Sequence, residues 1–153
     1  MKKILIGVII LISTNLPAQD KEAAGSTAVQ SIDGIVNEVL NILSTKEGET
    51  ADADALRNLF LPTANFTVHT HNDSIPVPVE TVSLDEFLEI LQDPYYEEGF
   101  LEYEIHKVVD EYNGIAQVFQ TYYGKDSEDY EEKGITSYQL VYFKDRWWIA
   151  NTL

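Results

Sequence analysis

Glu102, Glu104 and His106 stand two residues apart in a run that alternates in polarity. A regular strand therefore presents all three on one face. A carboxylate beside an imidazole in a dry pocket is an acid–base pair, because burial and neighbouring charge move both groups toward neutral pH. Asn113-Gly114 lies between two β-rich runs and is a strong signal for a two-residue hairpin turn. Counting outward from that turn sets Val108 opposite Phe119, His106 opposite Thr121 and Glu104 opposite Tyr123. The polar row is then Glu102, Glu104, His106, Thr121 and Tyr123. Glu104, His106 and Tyr123 are the candidate catalytic groups of a lyase, isomerase or hydrolase. The opposite face pairs Val109 with Val118 and Ile105 with Tyr122, and with Tyr103 it is the greasier one. That face has the stronger claim to pack on helices. A slip of one residue would exchange the two sets.

Other groups are weaker candidates. Ser137 and Gln139 share a face with Trp148 and offer hydrogen bonds beside an aromatic wall, whereas Trp147 must point to the opposite face. With Glu102, Thr121 and His69 they complete the candidate ligand-binding set. His69 and His71 sit two apart near Asp73, but a catalytic zinc needs three protein ligands and only two have defensible geometry. The carboxylates between Gly124 and Gly134 lack the regular spacing of a calcium loop. No metal site and no cofactor are expected. Cysteine is absent, and neither a nucleophile elbow nor a phosphate-cradling glycine loop occurs.

The elements that position these residues are legible. Ile32, Ile35, Val36, Val39, Leu40 and Leu43 recur at helical spacing. A shorter helix carries Leu56, Leu59 and Phe60, with Asp52 or Asp54 as its cap and Pro62 at its end. Asn65 to Thr70 alternates as a strand, and Ile75 to Val82 is extended with two prolines suited to an edge. Ser83 and Glu86 form a capping box for a third helix, whose buried face is Phe87, Leu88 and Leu91 and which Pro94 stops. From Phe100 the period changes to two. The strand carrying Glu104 reads as central, Gly124 to Gly134 as a solvated loop, and Ile135–Phe143 with Arg146–Leu153 as a last hairpin. In that hairpin Tyr142 faces Trp147, Val141 faces Trp148, Leu140 faces Ile149 and Gln139 faces Ala150.

The chain has 153 residues and a net charge of −16, which repels phosphate backbones and anionic lipid surfaces, so nucleic-acid binding is not expected. Lys2 and Lys3, the apolar run Ile4 to Ile12 and Pro17-Ala18 read as a secretory signal, too short to span a bilayer that needs about 20 residues. The expected organisation is a signal peptide at 1–18, cleaved near Ala18, a flexible leader at 19–26 and one domain at 27–153. The mature protein is expected in the periplasm or outside the cell, without a stable membrane anchor.

The order helix, short helix, strand, edge strand, helix and four long antiparallel strands resembles the nuclear transport factor 2-like superfamily. That superfamily includes SnoaL-like cyclases, ketosteroid isomerase and scytalone dehydratase. "ALRNLF" (Ala55 to Phe60) and "TANFTV" (Thr63 to Val68) look like its helix-to-first-strand segment. "GFLEYEIHKVVDEYNGIAQVFQTYYGKD" (Gly99 to Asp126) and "KGITSYQLVYFKDRWWIANTL" (Lys133 to Leu153) look like a bacterial SnoaL-like subgroup. The resemblance implies an α+β fold: a cone-shaped, curved antiparallel sheet packed against three helices, a cystatin-like roll. It implies a cavity between sheet and helices for an apolar or amphipathic small molecule. Both faces of the last hairpin are substantially apolar, so the one turned from the helices needs a second cover, and a homodimer through the sheet face is expected. A protein-interaction module using that face is the further alternative. The ketosteroid isomerase chemistry does not carry over, because its three reactive positions fall near Val68, Val39 and Tyr138.

Overall fold

The computed structural model describes residues 27–69 and 79–153. The expected signal segment, the leader, and His71 with Asp73 lie outside the described residues. Helix α1 (Ile32–Leu43) starts at Ser31, whose Oγ accepts from the Gly34 N–H at 2.9 Å, and buries Ile35, Val36, Val39 and Leu40. Helix α2 (Ala53–Arg57) is capped by Asp52, which accepts from the Ala55 N–H at 2.9 Å. Its chain then turns so that Phe60 pairs with Ile149. Helix α3 (Leu84–Ile90) has the complete capping box of Ser83 and Glu86. Pro94 does more than stop a helix, since it opens a 3-10 segment at Pro94–Glu98.

Among the described residues six strands form one curled, unclosed sheet: β1 (Asn65–His69), β2 (Val79–Ser83), β3 (Phe100–Tyr112), β4 (Ile115–Asp126), β5 (Glu131–Phe143) and β6 (Arg146–Thr152), in the order β2-β1-β6-β5-β4-β3. The β2 edge agrees with the proline-based reading. Three expectations change. First, β3 is the opposite edge rather than a central strand. Second, β1 joins β6 in parallel, through Phe66 and Thr152, so the sheet is mixed. The supposed loop from Gly124 to Gly134 is mostly strand as well, since β4 and β5 pair out to Lys125 and Glu131.

The helices and one sheet face share the core, with Tyr138, Phe60, Ile35, Leu56, Leu140 and Ile149 among its largest fully buried side chains. Phe66 bridges the core, 4.9 Å from Phe60 and stacked 4.1 Å from Phe87 between ring centroids. Trp147 is buried with this core, while Trp148 lies on the outer face beneath Arg146, 3.8 Å from its guanidinium carbon.

Candidate functional site

The Asn113-Gly114 turn has the expected register, with Tyr112 opposite Ile115, Val108 opposite Phe119 and His106 opposite Thr121. Three residues past Val109 the ladder shifts. Glu104 faces Tyr122 instead of Tyr123, leaving Ile105 as an extra residue on β3. Such a bulge inserts one residue and turns over everything beyond it. The expected polar row is thereby cut in two.

Glu102 and Glu104 point to the concave, helix-covered face. Ile105 and His106 are both exposed on the convex face, with Thr121 and Tyr123 opposite that part of the strand. Tyr123 packs there on Tyr103, ring centroids 5.0 Å apart. The Glu104–His106–Tyr123 combination is therefore not assembled. The greasy face is divided by the same shift: Tyr103 and Ile105 are exposed on the convex side, while Val109, Val118 and Tyr122 belong to the concave side. Ser137, Gln139 and Trp148 also lie on the convex side. There Ser137 accepts from Gln117 at 2.6 Å, and Gln139 accepts from Asn151 at 3.2 Å. A second bulge in the last hairpin skips Ala150, so Gln139 meets Asn151 instead. His69 ends β1, exposed and opposite Val79.

The concave face of β3, β4 and β5 is a series of cross-strand rows. The first is Glu102–Gly124–Glu132, the second Glu104–Tyr122–Gly134, the third Lys107–Gln120–Thr136 and the fourth Val109–Val118–Tyr138. The first three rows are polar and the fourth is mainly apolar. Two glycines create the relief at the polar end. A Cβ on Gly134 would overlap the Tyr122 ring, which lies across that backbone, and one on Gly124 would stand 3.2 Å from the Glu132 Cγ and 3.6 Å from the Phe100 Cζ. Tyr96 closes the same end, its ring edge-on to Phe100 at 6.4 Å.

Glu102 is held by its backbone. Ser44, just past α1, accepts from its N–H at 2.8 Å and donates to its C=O at 3.0 Å. Thr45 and Phe100 exchange both main-chain hydrogen bonds alongside. The side chain has no such support: its Oε2 is buried and has no hydrogen-bond partner. Burial, reinforced by the Glu132 charge, pushes the carboxyl up to about 7. Burial and the same two carboxylates push the Tyr122 hydroxyl up to about 12. Desolvation also raises the Tyr96 and Tyr138 hydroxyls, so all three phenols stay neutral donors.

Behind this end lies a satisfied network. Gln120, fully buried, donates to Glu104 at 2.8 Å and to Asn37 at 3.2 Å, and its Oε1 accepts from the Tyr138 hydroxyl at 3.3 Å. Lys107 bridges Glu104 and Asp33, each at 2.9 Å. Its charge is opposed by desolvation, but the two hydrogen bonds outweigh that and raise its proton affinity. Among the described residues no group of three or more metal-ligating side chains gathers.

No family model and no curated protein matches this sequence. Solved structures do match its architecture. A candidate scytalone dehydratase from Novosphingobium aromaticivorans superposes with a TM-score of 0.61 at 11% identity, over 86% of this chain and 85% of that one. A candidate ketosteroid isomerase from Shewanella frigidimarina gives 0.57 at 15% identity, over 78% and 90%. An NTF2-like protein of unknown function from Shewanella baltica gives 0.54 at 13% identity, over 77% and 86%. The chain has the NTF2-like fold of these structures. At these identities the likeness is one of fold, and the site must be argued from its own residues.

Sequence reasoning places Tyr122 on the helix-packing face, as found, but missed Gln120, Glu132 and both glycines as its neighbours there. An isolated glycine within a strand pattern was the available signal, since it marks a bulge or a close approach. From the sequence alone, Gly124 and Gly134 look like the ends of a loop instead.

Proposed function

We propose that this chain is an exported binding domain for a small amphipathic molecule, received at the polar end of the concave face. The carrying observation is the buried, unpartnered Oε2 of Glu102. A buried polar atom without a partner costs about 1–3 kcal/mol, which a ligand group would recover. The rings of Tyr96, Phe100 and Tyr122, all half-buried, offer apolar surface beside it. Related folds include a candidate isomerase and a candidate dehydratase, which is consistent with a small-molecule site.

The test uses protein from its native host, whose N-terminus the export reading puts at Gln19. Saturable, one-to-one binding of the neutral fluorophore N-phenyl-1-naphthylamine is expected. Gly124→Val, which fills the gap between the two carboxylates, should weaken it at least tenfold while circular dichroism stays native. Absent binding, or binding indifferent to that substitution, contradicts the reading.

The convex face supports a second part of the proposal, a homodimer through the sheet. Val108, Phe119 and Ile135 are 53%, 51% and 65% exposed there, forming an apolar surface of the kind that marks interaction sites. Sedimentation equilibrium should show concentration-dependent association that Phe119→Lys abolishes. A strict monomer at high concentration would rule out the dimer.

A further inference from the structure

Glu102 and Glu132 face each other across Gly124, two strand spacings apart, with no side chain on the residue between them. Two spacings are roughly 9–10 Å between backbones, and the Glu132 side chain leans into that interval over the bare glycine, its Cγ and Oε1 lying 3.2 and 3.4 Å from where a Gly124 Cβ would stand. Around the gap stand the Tyr96, Phe100 and Tyr122 rings. We propose that this gap recognises an organic ammonium ion, held between the Glu102 and Glu132 carboxylates with its carbon skeleton against those three rings. The inference rests on the concave face being the ligand site and adds the charge of the ligand.

Three features favour a cation. An ammonium group carries up to three donors and no acceptor, which suits an unpartnered carboxylate oxygen beside a second carboxylate. Aromatic faces attract cations through the ring quadrupole. The net charge of −16 raises the local concentration of cations and lowers that of anions. A metal ion is less well served, since two carboxylates fall short of its usual ligand count.

Binding should also release a proton. The groups facing Glu102 are Glu132 and Tyr138 from β5, Tyr122 from β4 and Tyr96 from the 3-10 segment, none of which offers a positive charge. Desolvation and the Glu132 charge keep Glu102 partly protonated at neutral pH, so a cation must displace that proton. Affinity for a permanently protonated amine should thus rise between pH 5 and pH 8.

The experiment compares octylammonium, 1-octanol and octanoate as competitors of N-phenyl-1-naphthylamine, at pH 5 and pH 8 in 0.15 M salt. The expected result is octylammonium binding at least tenfold tighter than octanol at pH 8, with octanoate weakest. Glu102→Gln should abolish both that preference and the rise with pH, whereas Glu128→Gln, a surface carboxylate outside the gap, should preserve both. Octanol competing as well as octylammonium would overturn the cation inference and leave the amphipathic site standing. An equal loss in Glu128→Gln would overturn it too, by assigning the preference to the diffuse acidic field. If the fluorophore itself shows no saturable binding, the site reading fails together with the inference.

Discussion

Glu102→Gln is expected to stabilise the folded chain by about 3 kcal/mol at pH 8 and to leave it nearly unchanged at pH 4. The folded carboxyl titrates near 7, above its ordinary 4.5, because burial and Glu132 both disfavour its charge. A raised acid pKa means that the folded state keeps a proton which the unfolded chain releases. Stability therefore falls as pH climbs from about 4.5 to about 7, at roughly 1.4 kcal/mol per pH unit inside that window. Above it the cost is complete; below it there is none. Glutamine resembles the protonated acid at every pH and escapes the cost. Urea denaturation of both proteins at pH 4, 6 and 8 measures the difference. A gain of equal size at all three would mean that the effect is not ionisation.

Gln120→Leu is expected to destabilise the fold by about 2–4 kcal/mol. The substitution keeps approximate volume but strips partners from the Tyr138 hydroxyl, Glu104 and Asn37 at once. Each loses a hydrogen bond worth about 0.5–1.5 kcal/mol, or about 1.5–3 kcal/mol to a charged group, although Glu104 keeps Lys107 and Tyr138 keeps Thr136. Tyr138→Phe alone should cost less, since Gln120 keeps its two other bonds. In the double variant no phenol is left without its Gln120 partner, so the two losses should fall short of adding by about 1 kcal/mol. Strict additivity in urea denaturation would show that the Tyr138–Gln120 bond carries no coupling.

The helices, caps and turn were legible because each depends on residues close in sequence. Asp52 and the Ser83–Glu86 box cap their helices through bonds spanning three residues, and Asn113-Gly114 sets its own register. The candidate site depended on something different: whether thirteen residues of β3 match twelve of β4 without interruption. They do not, and the single extra residue at Ile105 reverses the destination of Glu102 and Glu104 relative to His106. No local motif at Ile105 announces this. The bulge follows from tertiary demands, with Ser44 and Thr45 anchoring the start of β3 while the hairpin turn anchors its end. Gly124 and Gly134 carried the trace of it, as strand glycines that make room for Glu132 and for the Tyr122 ring. Glu102 was selected correctly by residue type and placed in the wrong company.

The central claim is that Glu102 lies desolvated on the concave face, opposite Gly124 and within the field of Glu132. Carbon-13 NMR of the side-chain carboxyls, with Glu102 assigned by its loss in Glu102→Gln, reads this directly. A titration midpoint near 7, moving down when octylammonium is added, is the predicted result. A midpoint near 4.5 would place Glu102 in water and contradict both the site and its proposed ligand.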